Sequence, residues 1–236
     1  MRIKAVGFDL DDTLYDRNDV YRKVFKIMQN DVMRLDVDFD TFNKVYQRIS
    51  NEEFFKFNKG LKSQEQYRID RTVLTYDYFG YNMTPAEAMV YYLLYKRYRN
   101  EITIRPYMEK AMDYLINKGI EVFVITNGSE DIQVDKLKRL GVLDRIKLDK
   151  CFISESIGEA KPSEAVFKHV ESSLGLTGEE IMYIGDHLEN DIEGSLVHNW
   201  KAVYYNVNDC FDYDHAQCVT FFEDEAVYHY MKDLFN

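Results

Sequence analysis

An apolar segment that ends in acidic residues lies near the start of the chain, where residues 3–13 read Ile3-Lys4-Ala5-Val6-Gly7-Phe8-Asp9-Leu10-Asp11-Asp12-Thr13. Its apolar part, residues 3–8, is short and is followed at once by acidic residues, a pattern typical of a buried strand that ends at a surface. Carboxylates crowded at a strand end repel one another and lose solvation. Their presence therefore indicates that something positively charged binds there.

Strands and helices alternate in the later part of the chain. Further apolar runs predict strands at residues 121–125, 181–184 and 201–205. A glycine suited to a left-handed helix end follows each predicted helix, at 108–117 (Gly119), 131–140 (Gly141) and 163–174 (Gly175). This alternation predicts an α/β fold, a Rossmann-like parallel sheet with helices on both faces.

Residues 16–99 have a different texture. They contain no strand-and-turn pattern, and long stretches such as residues 89–95 suit helices whose apolar residues cover more than one face. We expect an all-α insertion between the first strand and the rest of the sheet. The predicted division is residues 1–15 with 100–236 as one domain and residues 16–99 as the other.

Composition and charge exclude several classes of protein. The 236-residue chain carries 30 basic and 41 acidic residues, a net charge of −11, which argues against a nucleic-acid binder because such proteins usually show a basic excess. We find neither an apolar run long enough to span a bilayer nor an N-terminal signal region before Asp9. The three cysteines (Cys151, Cys210 and Cys218) are odd in number and lack metal-ligand spacing, which favours a reduced, cytoplasmic protein.

Four short elements carry the chemistry, and each is expected just after a strand, at the carboxyl edge of the sheet. In chain order they are Asp9 to Thr13, Thr126-Asn127-Gly128, Lys161-Pro162, and Gly185-Asp186 with Asp191. The carboxyl ends of parallel strands meet at one edge, where ligands bind. Each element alone is also ordinary turn chemistry, so it is their occurrence together and in this order that indicates a functional site.

Through these elements the sequence resembles the haloacid dehalogenase-like (HAD) hydrolase superfamily, in its phosphatase type. The matching positions are Asp9, Asp11, Thr13, Thr126, Asn127, Lys161, Asp186 and Asp191. The resemblance covers residues 1–15 and 100–236 as a catalytic core. Only 35 positions separate Thr126 from Lys161, which leaves no room for a large cap there, so residues 16–99 would be the helical cap inserted after the first motif.

The resemblance implies a phosphatase reaction that uses Mg²⁺. Asp9 would be the nucleophile that forms an aspartyl-phosphate, and Asp11 would act first as acid and then as base. The implied metal ligands are the carboxylate of Asp9, the backbone carbonyl of Asp11 and the carboxylate of Asp186. A hard cation such as Mg²⁺ prefers oxygen ligands of this kind.

The resemblance also assigns the residues around this centre. Thr126 and the N–H groups around Asn127 would bind the transferring phosphoryl oxygens, while Lys161 would balance the accumulated negative charge. Thr13 would fix the loop behind Asp9, and Asp191 would orient Lys161 or a metal-bound water.

Other members of the superfamily do different chemistry. Dehalogenases lack the acid that Asp11 supplies here. Phosphonate hydrolysis needs a buried lysine in the cap, and nothing in the sequence indicates that Lys56 or Lys59 is buried. A sugar phosphomutase and a binding or regulatory module with a vestigial site remain the alternatives.

The expected substrate is a small phosphorylated metabolite. The nearest resemblance is to nucleoside 5′-monophosphatases and acylneuraminate 9-phosphatases, so the ester would be a nucleoside 5′-monophosphate or a sugar phosphate. Aromatic residues of the insert such as Phe54, Phe55 and Phe57 could stack on a base or a sugar, although we expect most of the aromatic residues there to pack in the core. No nucleic-acid polymer or membrane is expected as a partner, and the oligomeric state stays open.

Overall fold

The computed structural model describes residues 3–207 and 211–236. The contacts divide the chain into a core unit, Met1–Asp16 with Ile102–Asn236, and an insert unit, Arg17–Glu101. The boundaries predicted from the sequence lie one and two residues earlier than these. The division into a catalytic core domain and a helical cap domain stays a prediction.

The core unit contains one six-stranded sheet in which every neighbouring pair of strands is parallel. Its strands are β1 (Ala5–Phe8), β2 (Glu121–Thr126), β3 (Cys151–Ile153), β4 (Ile181–Gly185), β5 (Lys201–Tyr205) and β6 (Cys218–Phe221). The strand order is β3-β2-β1-β4-β5-β6. The parallel α/β sheet and the four predicted strands are confirmed.

Two strands of this sheet were missed by the sequence analysis. They are β3 and β6, which form the two edges of the sheet. β3 has only three residues, too few to show an apolar run. The four residues of β6 are all half-buried, so this strand lacks the continuous apolar character by which the others were recognised.

Helices flank the sheet and build the insert. The core unit contains α5 (Pro106–Asn117), α6 (Glu130–Arg139), α7 (Ser154–Ile157), α8 (Glu164–Leu174), α9 (Gly194–Leu196) and α10 (Asp224–Leu234). The insert unit contains α1 (Arg17–Ile27), α2 (Phe39–Asn58), α3 (Gln64–Tyr78) and α4 (Pro85–Tyr98). Gly119, Gly141 and Gly175 have left-handed φ values of 72°, 68° and 66°, so the predicted helix ends are confirmed.

The central strand β1 is packed tightly because of Gly7. A Cβ atom at this position would lie 2.3 Å from the ring of Phe123 and 2.8 Å from that of Tyr183. The absent side chain lets both rings close over the strand, and Asp9 follows two residues later. The strand that leads into the acidic turn therefore lies in a dense core.

The insert unit has its own aromatic core. The buried aromatic residues are Tyr21, Phe25, Phe39, Phe42, Tyr46, Tyr76 and Tyr91. Phe54, Phe55 and Tyr78 are exposed. Lys56 and Lys59 are exposed as well, so neither is the buried lysine that phosphonate hydrolysis needs. The aromatic content of the insert is therefore explained mainly by packing.

Cysteine state and membrane-crossing potential can be assessed for the described residues. Cys151 and Cys218 are free thiols, and burial raises the pKa of Cys151 to about 12. Cys210 lies outside the described residues. Across residues 3–207 and 211–236, no helix has both the length and the apolar content needed to cross a membrane.

Candidate active site

The acidic residues that follow β1 and β4 converge because these two strands are neighbours. The register pairs Phe8 with Ile184, and the backbone N–H of Asp9 donates to the carbonyl of Ile184 at 2.8 Å. Carboxylate oxygens of Asp9, Asp186 and Asp191 all lie within 4.8 Å of one another. The structure thus brings together residues that are far apart in the sequence.

Lys161 supplies the positive charge in this cluster. Its ammonium group lies 2.8 Å from Oδ1 of Asp9 and 2.6 Å from Oδ1 of Asp191, and the residue is only 5% exposed. It also contacts the hydroxyl of Tyr183 at 2.8 Å and the carbonyl of Ile125 at 3.1 Å. Burial acts to lower the pKa of Lys161, but the carboxylates of Asp191 and Asp9 raise it well above its ordinary value. Lys161 is therefore a permanent cation.

The cluster retains an excess of negative charge. Three ionised carboxylates and one ammonium give a net charge of −2. Burial raises the pKa of Asp9 above its ordinary value, Lys161 opposes this rise, and the charge of Asp191 adds to it. A divalent cation would offset the excess charge and favour the ionised form of Asp9. The donors are all oxygen atoms, so the site fits a hard metal ion.

Hydrogen bonds hold two of the three carboxylates of the cluster, those of Asp186 and Asp191. The hydroxyl of Thr13 donates to Oδ1 of Asp186 at 3.2 Å, a contact that the sequence did not predict. Oδ2 of Asp191 accepts from the backbone N–H of His187 at 3.0 Å, while its Oδ1 bonds to Lys161. Both oxygens of Asp191 are therefore engaged, which supports an orienting role for this residue.

Asn127 fixes the loop that carries Lys161. Its side-chain amide donates to the carbonyl of Lys161, and its side-chain oxygen accepts from the N–H of Lys161, each at 2.9 Å. This reciprocal pair has no signal in the sequence. The expected binding of phosphoryl oxygens by N–H groups around Asn127 stays a prediction.

The carboxylate of Asp11 lies outside the three-carboxylate cluster and faces a second cation. Lys136 on α6 places its ammonium 2.6 and 2.8 Å from the two carboxylate oxygens. Gln133 donates to Oδ2 at 3.0 Å, and the hydroxyl of Tyr15 donates to Oδ1. Only the backbone carbonyl of Asp11 was assigned to the metal, and that assignment stays a prediction.

Sequence reasoning placed one motif wrongly and missed four contact residues. Lys161 does not follow a strand directly, because α7 lies between it and β3, which ends at Ile153. The missed residues are Tyr15, Gln133, Lys136 and Tyr183. Lys136 lies in a predicted helix, where lysines are usually on the surface. Tyr183 belongs to an apolar strand, so the sequence gave neither residue a predicted role in the site. Gln133 and Lys136 are spaced by three residues on α6, a spacing that is ordinary on an amphipathic helix and gave no local signal.

Comparison with known families accounts for the arrangement of these motifs. The model of the haloacid dehalogenase-like hydrolase family matches residues 3–196. The chain belongs to this family. The match spans every motif residue of the site, from Asp9 to Asp191, and the predicted recognition is confirmed.

Several proteins named as phosphatases are similar to this chain over most of their length. Ribulose-1,5-bisphosphate 5-phosphatase of Halopiger xanaduensis is 27% identical, with 86% of this chain and 84% of the relative covered. N-acylneuraminate-9-phosphatase of Mus musculus is 26% identical (86% and 82% covered). Glyceraldehyde 3-phosphate phosphatase of Methanocaldococcus jannaschii is 30% identical (81% and 79% covered).

Solved structures of the family share the fold. The HAD-hydrolase YfnB of Bacillus subtilis, in a crystal form bound to magnesium, superposes with a TM-score of 0.71 at 20% identity. The match covers 98% of this chain and 99% of that protein. At this identity the similarity establishes the fold.

Proposed function

We propose that this protein hydrolyses a small phosphate monoester with Mg²⁺, through an aspartyl-phosphate on Asp9. The enzyme class, a phosphatase of the haloacid dehalogenase-like hydrolase family, follows from the family match and the names of the similar proteins. The observation that carries the mechanism is the meeting of Asp9, Asp186 and Lys161 at one sheet edge.

The metal would be held by three groups from two motifs. These are the carboxylates of Asp9 and Asp186 and the backbone carbonyl of Asp11. When bound, the ion neutralises negative charge on the carboxylates and on the phosphate, which allows two anions to approach each other. Lys161 supplies further positive charge beside Asp9.

In the first half of the reaction Asp9 is the nucleophile. A carboxylate oxygen of Asp9 attacks the phosphorus in line, and the bond from phosphorus to the ester oxygen breaks. Asp11 gives its proton to the leaving alkoxide. The hydroxyl of Thr126 and the N–H groups around Asn127 hold the phosphoryl oxygens while charge builds on them.

In the second half of the reaction water releases the phosphate. Asp11, now a carboxylate, takes a proton from the attacking water. The water oxygen bonds to phosphorus, the bond from phosphorus to the Asp9 oxygen breaks, and inorganic phosphate and the original carboxylate are produced. Asp11 ends the cycle protonated, as it began, and between the two halves it is the carboxylate that Lys136 and Gln133 contact.

The proposed substrate class is a phosphorylated sugar or sugar acid. The names of the three relatives refer to phosphate esters of ribulose, of an acylneuraminate and of glyceraldehyde. These names favour a sugar phosphate over a nucleoside 5′-monophosphate as the first compound to test. A screen of both classes with Mg²⁺, ranked by kcat/KM, identifies the better substrate.

The nucleophile is tested by Asp9→Asn with p-nitrophenyl phosphate. We expect activity to fall to background in this variant and to be unchanged in Asp149→Asn, an exposed aspartate of the core unit. Full activity of Asp9→Asn would refute the mechanism. Inactivity of the folded wild-type protein on every ester would favour the binding-module alternative.

A hexose 1-phosphate distinguishes hydrolysis from phosphomutase activity. We expect inorganic phosphate as the product. An isomerised sugar phosphate without release of inorganic phosphate would identify a phosphomutase, which passes the phosphoryl group back to the sugar.

A further inference from the structure

Two polar residues of α6 are buried beside the acidic turn. Gln133 and Lys136 are 1% and 9% exposed, and their spacing of three residues places them on the same face of the helix. Both residue types are usually found at the surface, and burying them costs free energy unless they have partners. The partners that compensate this cost are therefore informative about the role of both residues.

Lys136 holds the carboxylate of Asp11 from one side. Its ammonium is within 2.8 Å of both carboxylate oxygens, and the hydroxyl of Tyr15 donates a hydrogen bond to one of them. The ammonium also lies 5.9 Å from the centroid of the Tyr15 ring. With three groups around it, counting Gln133, the carboxylate of Asp11 has a defined position and rotamer.

Gln133 connects Asp11 to the second motif. Its Nε2 lies 2.5 Å from Oγ1 of Thr126, 3.0 Å from Oδ2 of Asp11 and 3.0 Å from the carbonyl of Asn127. Because an amide nitrogen only donates, the Thr126 hydroxyl accepts from it and keeps its own proton free for another acceptor. A Cβ at Gly128 would lie 2.9 Å from Cδ of Gln133, so glycine gives Gln133 the space for this position.

We propose that Gln133 and Lys136 are positioning residues that hold the carboxylate of Asp11 and the hydroxyl of Thr126 in a fixed relation. The proton donor and the hydroxyl that binds the phosphoryl group then act on the same ester. This inference rests on the proposed function, in which Asp11 is the acid and base. Small displacements of such groups lower rates strongly, by about 100-fold for 1 Å.

A double-mutant cycle tests the pair Lys136 and Asp11. With ribose 5-phosphate, Lys136→Met should lower kcat by about 10- to 100-fold and change KM little. With p-nitrophenyl phosphate the loss should be smaller, because its leaving group needs less protonation. In an Asp11→Asn background, Lys136→Met should have almost no further effect. Lys138→Met, an exposed neighbour on α6, should leave kcat unchanged.

A second cycle tests Gln133 through the hydroxyl that it orients. Gln133→Met should lower kcat in the wild-type background and have less effect when Thr126→Val has removed the hydroxyl. This cycle also covers the case in which Lys136→Met does not fold. If both single variants fail to fold, the residues are structural and the proposal is overturned.

The outcomes separate this inference from the proposed function. Equal losses from Lys136→Met with and without Asp11→Asn would overturn the inference, since Lys136 would then act through another group. The proposed function would still stand if Asp9→Asn abolished activity. Activity that survives Asp9→Asn would overturn both.

Discussion

Removal of the Lys161 ammonium should destabilise the metal-free protein. Lys161→Met keeps the length of the side chain but leaves the buried carboxylates of Asp9 and Asp191 without their cation. Loss of one partner from a buried ion pair costs about 3–5 kcal/mol. For a chain of this size each kcal/mol lowers Tm by about 2–4 °C, so we expect a decrease of about 6–20 °C.

The assay is thermal unfolding in EDTA at pH 8, with Lys168→Met as the matched control. Lys168 also pairs with a carboxylate, Glu164, but both side chains are 63% exposed, and such surface pairs contribute little. We expect its Tm to equal that of the wild type.

Two further conditions sharpen this test of Lys161. Lowering the pH towards 5 should reduce the deficit, because protonation of the carboxylates removes the unpaired charge. Adding Mg²⁺ should raise the Tm of Lys161→Met more than that of the wild type. A metal-free Tm within about 2 °C of the wild type would refute the inference that Lys161 neutralises this cluster.

Three other predictions concern the same site. Asp11→Asn should lower kcat strongly for alkyl phosphates and less for aryl phosphates, and equal losses in parallel kinetic assays would remove Asp11 from the acid role. In Gly185→Ala the new Cβ would lie 2.5 Å from Cβ of Asp191. We therefore expect lower activity and a free energy of unfolding in urea that is lower by about 1–3 kcal/mol, and an unchanged activity and stability would contradict this close packing. Mg²⁺ should raise the wild-type Tm more at pH 7.5 than at pH 5.5, because burial raises the pKa of Asp9 and metal binding needs its ionised form; the opposite order would contradict this.

The sequence was sufficient for the central part of the fold. The runs that became β1, β2, β4 and β5 are apolar because both faces of a parallel sheet are buried. The edge strands β3 and β6 are short or half-buried, so they carry no such pattern. Apolar runs therefore identified the strands that are both long enough and buried on both faces.

The site was predictable at residues whose chemistry is unusual for their surroundings. Asp9 and Asp186 follow apolar runs, where a structural role would favour neutral residues. Gln133 and Lys136 lie on an amphipathic helix, where polar residues are ordinary, so only three-dimensional contacts distinguish them from surface residues. The side-chain contact of Asn127 with Lys161 joins two loops 34 residues apart and leaves no local pattern.

Detection of a phosphorylated Asp9 tests the proposed mechanism most directly. The protein is mixed with a good substrate and Mg²⁺, quenched with acid during turnover, digested, and analysed by tandem mass spectrometry. We expect one phosphoryl group on Asp9 and no adduct in Asp9→Asn. Turnover with an unmodified Asp9, or a phosphoryl group on a different residue, would contradict the mechanism.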